Sequence, residues 1–243
     1  MDVVSLGETM ILFSPEKTGQ LRYNRNYYSR VAGAETNTLI GLAKLGYQTG
    51  WMSRVGKDEL GKRIIASVRG EGVDTSFVKE DEGAPTGLFL KERTTVDSSK
   101  VFYYRKFSAA SKMTPADVEE SYIAKAEILY LTGITPALSD SCKETVFHAI
   151  KVARNNGVKI VFDPNIRKTL LDEKVGRDML LEIVAKADII LPGISEGDYL
   201  FQTKDCKQIA AECKRLGAEM AIVKLGEQRA YYSTSKNSGY IVA

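Results

Sequence analysis

Short apolar runs rich in β-branched residues alternate along the chain with longer stretches whose apolar positions recur every three or four residues. The first kind reads as buried strands and the second as amphipathic helices. Strands are expected at Val3–Leu6, Gln48–Arg54, Glu127–Leu131, Val158–Phe162, Asp188–Leu191 and Glu219–Lys224. Helices are expected at Glu35–Leu45, Leu60–Arg69, Ser139–Asn155, Val175–Ala185 and Cys206–Leu216, with Gly46, Gly157 and Gly217 placed to end three of them. Within Ser139–Asn155, Ser141 and Glu144 have capping-box spacing, which marks the helix start. Strand, helix, strand with short connections is the pattern of an α/β fold: a Rossmann-like, mostly parallel sheet with helices on both faces.

Two regions break that rhythm. Leu21–Tyr28 and Thr86–Arg105 carry strand-type residues with no helix between them. In the second, Val101, Tyr103 and Arg105 fall on one face and Phe102 and Tyr104 on the other. They predict a small β lid, formed by about residues 11–30 and 86–107, on a single α/β domain spanning 1–243. A sheet that small must lie against a ligand or a second subunit, and its edges need cover, so a homo-oligomer through the lid is expected.

Composition narrows the class. Hydrophobic content of 44% and charged content of 27% suit a globular protein, and a net charge of +3 gives no reason to expect nucleic acid or membrane as partner. Three cysteines without C-x-x-C spacing suit reduced thiols in the cytoplasm. The start, MDVVSLGETM, lacks the features of a signal peptide, and no apolar run is long enough for a membrane span. The hydrolase, P-loop and dinucleotide fingerprints are also missing, so any phosphate chemistry must use another scaffold.

Candidate chemistry sits where strands end. KIVFDPNIRKTL, from Lys159, leaves an apolar strand through Asp163, Asn165 and Arg167, and Pro164 forces the exit. Carboxyl ends of parallel strands are where ligands bind, although a polar loop before a helix has the same look. VAGAETN, Val31–Asn37, brings Gly33 to a helix start suited to a polar ligand, or is an ordinary glycine loop. Asp58 in SRVGKDELGKRI reads as a helix cap. In FYYRKF, Arg105 suits a carboxylate or phosphate, or else guards an edge strand against aggregation. Glu196 in LPGISEGDYL could organise hydrated magnesium or favour the helix dipole. AIVKLGEQRAYY turns at Gly226 between two strands, where a nucleotide could lie against backbone. His148, mid-helix, reads as packing or surface.

In order, these segments resemble the ribokinase-like (PfkB-type) family of carbohydrate kinases. The matching pieces are Gly7-Glu8, GAETN, VGKDELG, YYR, DPNIR, LPGISE and VKLGEQRAYY. GET…F, YYR and LPGISEG most resemble members acting on 2-keto-3-deoxygluconate. The resemblance implies ATP- and Mg²⁺-dependent phosphorylation of that sugar acid to its 6-phosphate. Another sugar or nucleoside substrate, or a sugar-binding module without turnover, are the alternatives. By position it implies that Gly33, Ala34, Glu35, Thr36 and Asn37 contact the sugar, and that Tyr103, Tyr104 and Arg105 hold it from the lid, Arg105 taking the carboxylate. Arg167 would meet the transferring phosphate, Asn165, Lys224 and Gly226 the nucleotide, and Glu196 the metal through water. Leu12 replaces an aspartate that holds sugar hydroxyls in many members, which suits a 3-deoxy acid with fewer hydroxyls. The metal-site pattern N-x-x-E appears as Gly193-x-x-Glu196, and Arg229 stands at the last glycine of K-x-G-x-x-G. The family's G-A-G-D, with its catalytic aspartate, is not found before Ala243, so the 243 residues are expected to be C-terminally incomplete and nearly inactive.

Overall fold

The computed structural model describes residues 1–93, 99–167, 169–170, 173–227 and 229–242. The chain starts with β1 (Val3–Leu6), β2 (Met10–Pro15), β3 (Tyr27–Ala32), α1 (Ala34–Lys44), β4 (Thr49–Gly56) and α2 (Glu59–Gly70). It continues with β5 (Val73–Asp74), β6 (Val78–Asp81), β7 (Leu88–Arg93), β8 (Ser99–Tyr104), α3 (Glu120–Ala124), β9 (Ile128–Thr132) and α4 (Asp140–Asn155). Then come β10 (Lys159–Asp163), α5 (Glu173–Val184), β11 (Ile189–Ile190), α6 (Ile194–Phe201), α7 (Cys206–Arg215), β12 (Met220–Lys224), β13 (Arg229–Ser233) and β14 (Ser238–Val242).

The body sheet runs β14-β13-β12-β11-β10-β9-β1-β4-β5, with β6 beside the far end of β4. From β12 to β5 every pairing is parallel; β13 and β14 add antiparallel strands at one edge. The expected α/β architecture is therefore the observed one. Its strands can be continuous apolar runs because both faces are covered. Val4, Leu129, Ile160, Phe162 and Val223 are wholly buried, packed with Val146 and Ala149 of α4, Leu180 and Ile183 of α5 and Ile209 of α7. On the opposite face Leu39 of α1 and Ile64 and Val68 of α2 close over Trp51 and Ile11.

Most element bounds lie within two residues of those the sequence predicts, and the differences have local causes. The cap of α4 is Ser139, whose Oγ accepts from the Cys142 amide at 3.1 Å, rather than the Ser141/Glu144 pair. Ser141 sits inside the first turn, 3.1 Å from Ser139 Oγ. β5, at two residues, is too short to show a period. β14 follows the polar run Ser233–Asn237 and pairs antiparallel with β13.

The lid is a four-stranded sheet, β3-β2-β7-β8, antiparallel at both edges and parallel in the middle. Residues 94–98, inside the second predicted lid segment, lie outside the described residues. Leu21–Tyr23 is a single 3-10 turn, so the strand expected at 21–28 begins instead at Tyr27. Among the described residues no helix is long and apolar enough to cross a membrane.

Candidate functional site

β1, β9 and β10 run side by side and end at one level, beneath the lid. The cleft between them and the lid has a volume of about 290 Å³. Gly33, Ala34 and Asn37 at the start of α1 line it, with Tyr103 and Arg105 from the lid and Asn165 and Arg167 from beyond β10. Glu8, Phe89, Tyr130 and Asp163 are also in the wall. Two larger hollows, about 580 Å³ beside Arg177 and Asp198 and about 610 Å³ over Val161 and Leu191, bring together none of the expected site residues. His148 pairs with Glu120 at 3.1 Å and is not part of the cleft.

The helix start is held by hydroxyls. Thr9 Oγ1 and Thr36 Oγ1 lie 2.9 Å apart, and a Cβ at Gly33 would overlap both, so no larger residue fits the N-cap. Asn37 is exposed at the cleft, its backbone N–H donating to Gly33 O at 3.0 Å. Two residues of this segment expected to contact sugar are not in the wall. Thr36 is fully buried against Thr9, and Glu35 points under the helix, where Oε1 accepts from Thr132 Oγ1 at 2.7 Å and Thr135 Oγ1 at 2.8 Å. The first turn of a helix has only its outer positions free, here 34 and 37. Burial pushes the Glu35 carboxyl above its ordinary value, and the two threonines only partly oppose it.

On the lid, Phe89 and Tyr103 are directly opposed in register with ring centroids 5.5 Å apart, and Leu12 stands next in the same row. Tyr104, also expected to hold the sugar, belongs to the other row, is 63% exposed and is not in the cleft wall: strand alternation turns it away. Arg105 lies one residue past β8, its guanidinium 5.5 Å from the Tyr103 ring centroid and only 6% exposed. It is ion-paired to Glu8, whose side chain is completely buried. Ser108 Oγ donates to Glu8 Oε1 at 2.6 Å. Burial raises the Glu8 carboxyl, with the Arg105 charge and the Ser108 hydroxyl opposing. From the sequence, Glu8 figures only as part of the Gly7-Glu8 match, with no role assigned to it; the signal was present, since a carboxylate stands just past a buried strand, as Asp163 stands at the end of another.

Asp163 ends β10 in the cleft wall, and Lys224 Nζ bonds both its oxygens at 2.8 and 2.9 Å. Burial nevertheless lifts its pKa above the usual aspartate range. Asn165 adopts φ +38°, with its amide donating to Asp163 Oδ1 at 3.1 Å, a local closure that explains the polar exit from the strand. Glu196, third residue of α6, accepts from the Gly193 amide at 2.6 Å and from the Ile166 amide at 3.0 Å, and lies 3.8 Å from Lys224 Nζ. It thus ties the loop carrying Arg167 to α6. Lys224 and Gly226, expected at the nucleotide, lie outside the cleft. Gly226 takes φ +87° in the β12–β13 turn, a conformation that favours glycine. Among the described residues no three His, Cys, Asp or Glu side chains cluster as a metal cage.

A family model described as pfkB family carbohydrate kinase matches residues 1–243. The chain is 38% identical over 243 residues to the 2-dehydro-3-deoxygluconokinase of Bacillus subtilis (strain 168), covering 99% of this chain and 75% of that protein. It is 35% identical over 235 residues to the 2-dehydro-3-deoxygluconokinase of Thermoproteus tenax, covering 95% and 71%. The crystal structure of the PfkB protein from Polaromonas sp. JS666 matches with a TM-score of 0.95 at 37% identity, covering 100% of this chain and 82% of that one. A putative ribokinase II from E. coli, in complex with ATP and Mg²⁺, matches with a TM-score of 0.90 at 24% identity, a likeness of fold, covering 100% and 78%. Fold and matches together define a kinase of small carbohydrates. The chain belongs to the pfkB family of carbohydrate kinases.

Proposed function

We propose that this protein transfers the γ-phosphoryl group of ATP to the terminal hydroxyl of 2-keto-3-deoxygluconate. The observation that carries the reading is the meeting of Arg105 and Arg167 in one cleft, beside the start of α1. Two guanidinium groups suit a substrate that is an anion at one end and receives an anion at the other. Arg105 with Tyr103 grips the carboxylate end, and Gly33, Ala34 and Asn37 meet the hydroxyls. Arg167 neutralises the travelling phosphoryl oxygens, with Asn165 beside it; positioning and charge stabilisation supply most of the acceleration in such transfers. Apolar Leu12 in the lid row fits a sugar with a deoxygenated carbon. Two relatives above 30% identity carry this activity in their names, and a neighbour of similar fold was crystallised with ATP and Mg²⁺.

Magnesium fits the carboxylates present. Asp163 and Glu196 both approach Lys224, so neither is free to be one ligand of a tight cage, while both can accept from water bound to the ion. When bound, Mg²⁺ screens the phosphate charge. Lys224 fixes the strand end beneath the phosphates, and Gly226 gives the nucleotide a bare backbone turn.

The lid exposes two edge strands and the large side chains of Tyr23, Tyr27, Tyr28 and Tyr104, which supports pairing of two copies through it. Three free cysteines fit a cytoplasmic location. The test is ADP release by the full-length gene product with 2-keto-3-deoxygluconate, neutral hexoses and pentoses, and nucleosides. One charge-assisted contact is worth on the order of 10- to 100-fold, so kcat/KM should favour the acid by at least that factor. Turnover of neutral sugars alone overturns the reading.

A further inference from the structure

The lid-side guanidinium of the cleft depends on a carboxylate that no sugar contact requires. Arg105 stands at the root of the lid, just past β8, whereas Glu8 lies two residues past the end of β1, where the chain leaves the body. The Glu8 side chain has no exposed surface, and its ion pair with Arg105 crosses between the two layers. Its surroundings allow little freedom. Ser108 Oγ holds Oε1 at 2.6 Å, and Trp51 Nε1 and Ser53 Oγ hold the preceding carbonyl, Gly7 O, at 3.0 and 2.7 Å. On the other side of the pair, the Arg105 guanidinium lies over the Tyr103 ring, and its buried Nε has no hydrogen-bond partner in the protein. A buried donor left unmet beside a cleft is costly unless a bound molecule meets it.

We propose that Glu8 is a positioning residue for substrate binding: it closes one edge of the Arg105 guanidinium and so holds the remaining N–H donors ready for the substrate's anionic end. The inference rests on the kinase reading, in which Arg105 touches the substrate and Glu8 does not. An arginine has many rotamers, and an unheld one must be ordered at each binding event; a fixed carboxylate does that ordering in advance. The pair also joins lid to body, so a purely structural staple is the competing account. The two differ in what they do to KM.

Steady-state kinetics of the full-length gene product separate them. Glu8→Gln keeps an oxygen for Ser108 and removes the charge facing Arg105. It should raise KM for the sugar acid roughly 10- to 100-fold while kcat stays within about 3-fold. Arg105→Ala should raise KM at least as much, and the double variant E8Q/R105A should be no worse than R105A, because Glu8 acts only through Arg105. A staple predicts a lower melting temperature with wild-type KM, and that result, or additive effects in the double variant, overturns the proposal. If Glu8→Gln fails to fold, Glu8→Asp keeps the charge but withdraws it by one methylene, and an unchanged KM there is equally fatal. Should the wild type phosphorylate only neutral sugars, the substrate reading fails and the same cycle is run on the sugar that turns over. Glu8 then stands or falls by the KM of that sugar.

Discussion

Arg105 and Arg167 line the same cleft from different layers, the first buried against Glu8 in the lid and the second exposed beyond β10. Removing them should therefore injure different steps. Arg105→Ala should act mainly on KM. Arg167→Ala should leave KM for the sugar within about 3-fold and lower kcat on the order of 10²–10³-fold, the scale for one group that stabilises developing charge. Initial-rate measurements on both variants decide it, and a KM effect confined to Arg167 would exchange the two roles.

Asp58 joins helix and lid. Its Oδ1 accepts from the Gly61 amide and from Thr86 Oγ1, each at 2.8 Å, and its Oδ2 from the Thr86 amide at 2.8 Å. Partial burial pulls the carboxyl up, but these bonds outweigh it and leave the pKa below the usual aspartate value. The folded state therefore binds this proton less readily than the unfolded one. The stabilisation is present above the unfolded pKa near 3.8 and is lost as pH falls through the folded value. Asp58→Ala should cost about 1–2 kcal/mol at pH 7, the upper range for an N-cap, and the gap to wild type should close toward pH 3. Urea unfolding at several pH values measures it; a gap that persists unchanged in acid would contradict the assignment.

The body was legible in the sequence because its signals are redundant. The run at Val3–Leu6 is wholly buried, and α4 repeats its apolar face at Val146, Ala149, Ile150 and Ala153. The exit from β10 was equally plain: Pro164 forces the chain off the strand, and Asp163, Asn165 and Arg167 all reach the cleft. What one-dimensional pattern could not supply was the partner of each charge. Glu35 looked like a ligand contact because it follows Gly33, yet its direction is set by Thr132 and Thr135, distant in sequence. Lys224 reads as a nucleotide residue, and its pairing with Asp163, 61 positions away, has no signal in the one-dimensional pattern. Tyr104 is different: alternation alone assigns it to the face away from Tyr103.

Glu35 gives a pH signature of its own. Burial holds its carboxyl protonated above the usual glutamate value near 4.5, while the unfolded chain ionises there. Between those two values the unfolded state loses the proton first, so wild-type stability falls as pH rises. Glu35→Gln keeps an acceptor for Thr132 and Thr135 and cannot ionise. The difference in melting temperature, variant minus wild type, should grow as pH rises above 4.5. Calorimetric melts of both proteins in matched buffers check this, and a difference that shrinks with pH would mean that Glu35 is buried as the anion.

The salt link of Lys224 to Asp163 makes the opposite kind of test, because there the partner is removed and the carboxylate remains. Asp163 is mostly enclosed, with side-chain exposure of 15%, whereas Lys224 is 45% exposed, so the pair is screened on one side only. Its loss should cost about 1–2 kcal/mol, less than a fully buried pair. In Lys224→Met the pKa of Asp163 rises further, since burial and the neighbouring Glu196 are then opposed only by the Asn165 amide. The unfolded aspartate still ionises near 3.8. The folded state of the variant therefore pays for desolvation increasingly as pH climbs from there, and the deficit should be smaller near pH 4 than near pH 7. Adding Asp163→Asn should remove that pH dependence, as no carboxylate is left to isolate. Denaturant titrations of the single and double variants at both pH values provide the measurement. An equal deficit at both would show that Lys224 contributes packing rather than charge.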